Sequence, residues 1–138
     1  VYVGAFYLPQ PARDSTAALE QAGAKRMSLH VLHREIAAEK LVAAWNDGFE
    51  KNLPPPQFRA LRPRIANFNG LFPVLRRGDR VDIDIVPRAD KGLVTQVWIN
   101  GALRGKVGGA DFARALLLVW LGDRPVDADL KRALLGGD

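Results

Sequence analysis

The stretch from Gly108 to Gly136, GGADFARALLLVWLGDRPVDADLKRALLG, restricts the fold more than any other part of the chain. Its centre, Ala115 to Leu121, is apolar all round, so a helix there has no face to offer water and must be covered on nearly every side. Asp111 or the glycine pair before it can open that helix. Gly122 is placed to supply the left-handed residue after the last turn, and Pro125 prevents continuation. Asp127 then caps a short helix with Leu130, Ala133 and Leu134 on one face. That second helix must fold back on the first.

A chain of 138 residues suits one domain, residues 1–138, with one substantial hydrophobic core. The absence of cysteine removes disulfides, thiolate chemistry and cysteine–zinc sites together, and leaves the redox compartment open. No apolar run approaches the ~20 residues that span a bilayer. The formal net charge is +5, yet the basic residues are scattered. Arg59, Arg62 and Arg64 form one cluster, with Arg76 and Arg77 a weaker second. Nucleic-acid binders add stacking aromatics or a recognisable reading element, and neither is evident.

The element order reads as α+β. Val1 to Leu8, VYVGAFYL, is a β-rich apolar segment ended by Pro9 and Pro11. Ser15 caps a short helix through Ala22. Arg26 to His33 alternates as a strand, with Met27, Leu29 and Val31 on one face and Ser28, His30 and Leu32 on the other. Ala37 to Lys51 is an amphipathic helix with Ala38, Leu41, Val42, Trp45 and Phe49 inward, broken by Pro54-Pro55-Pro56. Phe58 to Phe68 marks another helix, which Asn69-Gly70 ends and which Pro63 is expected to kink or split. Val81, Ile83 and Ile85 alternate with Asp82 and Asp84, a strand with one wet face. Leu93 to Ile99 and Ala102 to Val107 pair across Asn100-Gly101, a strong hairpin signal because both turn positions want positive φ.

Few residues invite chemistry by themselves. His30 and His33 lie three apart on a strand, point to opposite faces and cannot chelate one metal. Asp82 and Asp84 share a face about 7 Å apart, a spacing that could hold a cation, but are expected instead to be a solvated strand face balanced by Arg80 and Lys106. Ser28 has no base at a suggestive spacing, and GGADF lacks the Lys-Ser/Thr end of a phosphate loop. No metal and no cofactor is expected. Trp98 shares a strand face with Val94 and Gln96, while Leu93, Thr95, Val97 and Ile99 take the other. One of these faces is a candidate contact surface.

Four motifs carry a family resemblance: YVGAFYLP, FNGLFPVLRRGDRV, NGALRGKVGGADFARAL and WLGDRPVDADLKRALLG. Together they resemble bacterial chalcone isomerase-like proteins over almost the whole chain. The resemblance implies an open-faced β-sandwich, an antiparallel sheet covered on one face by helices, with a ligand cleft between the two. In the isomerases of that superfamily a catalytic threonine on the first strand falls on Tyr2. The catalytic tyrosine and a nearby asparagine fall near Ala37 and Ala44, and a second hydroxyl residue falls near Val119. The implied ligand-lining set is Tyr2, Ala37, Leu41, Ala44 and Val119, with no catalytic residue.

Those replacements bear on function. Closing a chalcone ring needs a positioned phenolate and donors or a cation at the developing enolate oxygen. Alanine and valine supply none, and losing one such donor typically costs ~100-fold in rate. The resemblance therefore implies a non-catalytic protein that binds a small apolar or amphipathic, fatty-acid-like ligand. An intramolecular lyase or isomerase with altered residues is the alternative, and a structural or partner-binding module with a closed cleft is a third. The family's upstream hairpin or strand, its arginine and its secretory leader would precede Val1. This implies a periplasmic or secreted location and a first strand able to pair with a second copy.

Overall fold

The computed structural model describes residues 2–10, 14–21, 23–90, 92–125 and 127–135. In chain order come β1 (Tyr2–Tyr7), α1 (Ser15–Glu20), β2 (Lys25–Val31), β3 (Glu35–Ile36), α2 (Ala38–Asn52) and α3 (Pro55–Asn69). They are followed by β4 (Leu75–Arg76), β5 (Arg80–Arg88), β6 (Gly92–Ile99), β7 (Ala102–Gly108), α4 (Ala110–Leu121) and α5 (Ala128–Leu134). β1, β2, β5, β6 and β7 form one antiparallel sheet in that spatial order. β3 and β4 make a separate short pairing, Glu35 opposite Arg76 and Ile36 opposite Leu75. Two-residue strands carry no period-2 signal, so alternation cannot reveal them.

Alternation decides which face of the sheet meets the helices. Met27 lies opposite Ile83 and Leu29 opposite Val81, and Ile83 in turn lies opposite Val97. All five are buried. Directly opposed residues share a face, so this register stacks the apolar sets of three strands on one side. The β6–β7 turn has Asn100 at φ 50° and Gly101 at φ 83°. Both turn positions are therefore left-handed, as a two-residue hairpin of this hand requires.

α4 is the centre of the helical layer. Leu116, Val119, Trp120 and Leu121 are at most 1 % exposed. α2 crosses it at Gly48, where a Cβ would stand 2.8 Å from Val119 Cγ1. A glycine here permits a close approach of the two helices that any side chain would block. Around this crossing Trp45, Phe49, Phe68, Phe72, Phe112 and Trp120 form a continuous aromatic core, with Trp45 edge-on to Trp120 at 5.4 Å. Arg64 on α3 fastens the start of α4. Its Nη1 and Nη2 donate to Asp111 Oδ1 and Oδ2 at 2.7 and 2.8 Å, and this bond holds the Asp111 carboxyl below the usual carboxylate range.

Several local expectations are corrected. Asp14, not Ser15, caps α1, its Oδ1 accepting from Ala17 N at 2.8 Å, and the helix ends at Glu20. α3 begins at Pro55 and runs unsplit through Pro63, which sits on the exposed side where water can satisfy the Arg59 carbonyl. Gly122 is not left-handed: its φ is −71° and ψ −178°. It is needed for space instead, since a Cβ would stand 2.6 Å from Leu118 O and 2.8 Å from Asn52 Cγ. Asn52 fills that space to hold the return turn, donating to Arg124 O at 2.8 Å and accepting from Arg124 N at 3.0 Å. Asp127 caps α5 as its position suggests, accepting from Asp129 N and Leu130 N.

Candidate functional site

Among the candidate ligand-lining residues, Leu41 and Ala44 share one stripe of α2 with Gly48, at helical spacings of three and four. Ala37 stands just before the first turn as its N-cap, without a side-chain bond. Val119 reaches the same stripe from α4 through its contact with Gly48. The structure thus brings Leu41, Ala44 and Val119 to one helix–helix seam. Leu41 is 6 % exposed and Val119 fully buried, whereas Ala37 and Ala44 are half-buried. Tyr2 is in β1 opposite Val31, and its side chain lies outside the described residues.

This seam carries no acid, base or hydroxyl on Ala37, Leu41, Ala44 or Val119. The nearby polar atom is Trp45 Nε1, which is buried and has no hydrogen-bond partner among the described residues. Buried donors are almost always paired, so an unpaired one inside an apolar layer is a place where a ligand acceptor would be favourable. Thr95 Oγ1, on the helix-facing side of β6, is a second such atom.

The opposite face of the sheet is polar, and its chemistry is denser than alternation suggests. Asp82 is not solvated: it is 3 % exposed. Ser28 Oγ donates to its Oδ1, Arg80 Nε donates to its Oδ2 at 3.0 Å, and Arg26 lies 4.0 Å away. Arg26 also grips Asp84 through Nε at 2.6 Å and Nη2 at 2.8 Å, a bond that raises the guanidinium's own proton affinity. Arg26 and Arg80 balance the two aspartates, in place of Arg80 and Lys106. Directly opposed positions explain this arrangement, because Arg26 faces Asp84, Ser28 faces Asp82 and His30 faces Arg80. A hollow of about 280 Å³ opens over the lattice, lined by Tyr7, Arg26, Ser28, His30, Arg80 and Asp82. Ser28 donates its proton to a carboxylate that Arg80 also holds, and that arginine makes the carboxylate a poorer base toward the hydroxyl. Among the described residues no group of three or more histidines or acids is placed to hold a metal ion.

A further buried charge was invisible in the sequence. Lys25, at the start of β2, is 6 % exposed, and its Nζ donates to Gln21 O. Burial lowers its proton affinity. Nothing in a strand pattern distinguishes a buried lysine from the exposed ones around it.

An antiparallel sheet with one helix-covered and one open face, and a helix–helix seam above the covered face, defines an α+β open-faced sandwich. The family model for chalcone isomerase-like proteins matches residues 1–136, and the chain belongs to that family. Among solved structures it is similar to the crystal structure of the Arabidopsis thaliana fatty-acid binding protein At3g63170 (AtFAP1), with a TM-score of 0.64 and 16% identity. The likeness covers 94% of this chain and 66% of that one, so the chain spans just under two thirds of the length of the plant protein. At that identity the likeness speaks for the fold. No curated protein sequence matches the chain.

Proposed function

We propose that this chain is a non-catalytic chalcone isomerase-like protein that binds a small apolar or amphipathic ligand, fatty-acid-like in character, between sheet and helices. One observation carries the proposal: the positions that resemble the isomerases' reactive residues hold Ala37, Ala44 and Val119, whose side chains supply no donor to stabilise an enolate. Membership of the family and the fold shared with a plant fatty-acid binding protein support it. So does Trp45 Nε1, a buried donor awaiting an acceptor.

The chain is expected to leave a simple hydroxychalcone unchanged in an absorbance assay while binding a fluorescent fatty acid that unlabelled oleate displaces. Enzyme-dependent loss of chalcone absorbance that disappears in Tyr2→Phe would overturn the reading and make the chain an intramolecular lyase. Absence of fatty-acid binding together with absence of turnover would favour the partner-binding module. The tight Gly48–Val119 contact is the specific observation behind that second reading, because it fills the seam with protein.

A bacterial origin and an exported location belong to the same proposal and rest on the resemblance alone. So does self-association. Among the described residues β1 is an edge strand of the sheet, and an apolar edge exposes backbone groups that a second copy can pair with. Sedimentation velocity over a rising concentration series is expected to show a dimer. A single monomeric species throughout, with slow amide exchange along 2–7, would remove self-pairing from the proposal.

A further inference from the structure

One end of the sheet, where β2 and β6 finish and β5 and β7 begin, combines exposed aliphatic side chains with arginines that form no ion pair among the described residues. Leu32 is 51% exposed and Leu103 43% exposed, while Val74, just before β4, is 38% exposed. Large aliphatics held out in water at one end of a small protein mark a contact surface more often than chance does. The segments there are fastened to one another. Arg77 Nε donates to Leu32 O at 3.0 Å, and Arg77 N to Arg34 O at 3.3 Å. Asn100 Nδ2 on the hairpin donates to Asp79 Oδ1 at 3.0 Å, and Leu103 follows directly on β7. The 32–34 loop, the 77–79 turn and the 100–101 hairpin therefore make one rim.

The charge of the rim is lopsided. Arg34, Arg76, Arg77 and Arg104 are exposed, and none of the ion pairs formed among the described residues uses them. Of the nearby carboxylates, Asp79 is engaged by Arg76 N and Asn100 Nδ2, and Glu35 lies across from Arg76. Elsewhere arginines are spent inside the fold, as Arg26, Arg64 and Arg80 are. Here Arg34 and Arg76 make no described side-chain hydrogen bond, and Arg77 and Arg104 hold only backbone carbonyls, of Leu32 and Leu71, through Nε.

We propose that this rim docks on an anionic lipid bilayer, the arginines meeting headgroup phosphates while Leu32 and Leu103 enter the boundary of the acyl region. Aliphatic tips flanked by cations are the chemistry that a charged interface recognises. A nucleic-acid surface would call for aromatic side chains to stack on bases, and the three exposed apolar tips of this rim are aliphatic. The proposal stands on the rim alone and does not depend on what the seam between α2 and α4 binds.

The test sediments the full chain with vesicles of equal parts phosphatidylglycerol and phosphatidylcholine, and with vesicles of phosphatidylcholine alone. Binding is expected to the first and not the second, and to fade with added salt as charge attraction does. Arg34→Gln with Arg76→Gln removes two side chains that make no described hydrogen bond, and each loss is expected to weaken partitioning roughly 5-fold. Leu32→Ser with Leu103→Ser weakens it again at unchanged charge. Arg59→Gln with Arg62→Gln, exposed on α3, leaves it as it was, and an unchanged urea midpoint shows that each variant is folded. Failure to bind anionic vesicles overturns the proposal. So does binding that survives the rim variants, that falls equally with the α3 pair, or that a single-stranded oligonucleotide competes away through Arg34 and Arg76.

Discussion

Trp120→Ala is expected to destabilise the fold by about 3–5 kcal/mol, the range for deleting a large aromatic from a packed core. The ring is 1 % exposed on a helix whose neighbours Leu116, Val119 and Leu121 are equally hidden. It meets Trp45 edge-on at 5.4 Å, and Trp45 in turn touches Phe68 and Phe72. Collapse into the space is opposed from several sides, so the cavity remains and adds to the lost transfer energy. Urea denaturation of the variant beside the parent chain measures the loss. A change no larger than an ordinary surface substitution gives, about 0.5 kcal/mol, would place the ring outside the core.

Gly48→Val is the second large effect, and it works by the opposite mechanism. A Cβ at Gly48 stands 2.8 Å from Val119 Cγ1 and 3.1 Å from Cγ2, well inside van der Waals contact. Inserted methyl groups would push α2 away from α4 at the crossing that organises the helical layer. A cost of about 1–3 kcal/mol is expected for such overpacking. Replacing glycine by a β-branched residue in a helix interior returns only roughly 0.1–0.4 kcal/mol, which offsets little of it. The check is a double-mutant cycle: Val119→Ala should relieve most of the penalty in the Gly48→Val background while itself destabilising the parent. Additive losses would mean that the two residues do not share one contact.

The α4–α5 unit, the β6–β7 hairpin and the alternating strands β2 and β5 were legible because each is a local pattern: an apolar run with a stop, an Asn-Gly turn, a period of two. The same locality explains the misses. Alternation makes Asp82 look wet, yet Ser28 and Arg26 reach it from β2, more than fifty residues away in the chain, and Arg80 from its own strand. The place of Gly122 after a helix suggests a left-handed φ, whereas its small size serves Asn52, seventy residues earlier in the chain. Asn52 and Gly48 looked ordinary in sequence because their partners are distant.

For the candidate site the division is similar. That Ala37, Ala44 and Val119 carry no reactive group follows from their identity alone, and so does the lack of a thiol anywhere in the chain. Their grouping does not. Leu41, Ala44 and Val119 meet at one seam only because α2 and α4 cross at a glycine, and the rim of Leu32, Arg34, Arg77 and Leu103 exists only because three separate turns reach the same end of the sheet. Side-chain chemistry and local periodicity are properties of neighbours in the chain, so the sequence by itself determined the longer elements, the apolar helix at the centre and the unreactive side chains at Ala37, Ala44 and Val119. Strand register and helix crossing are properties of residues far apart in the chain, and the tertiary structure alone decided which charges are buried, which helices touch and which arginines are left facing solvent.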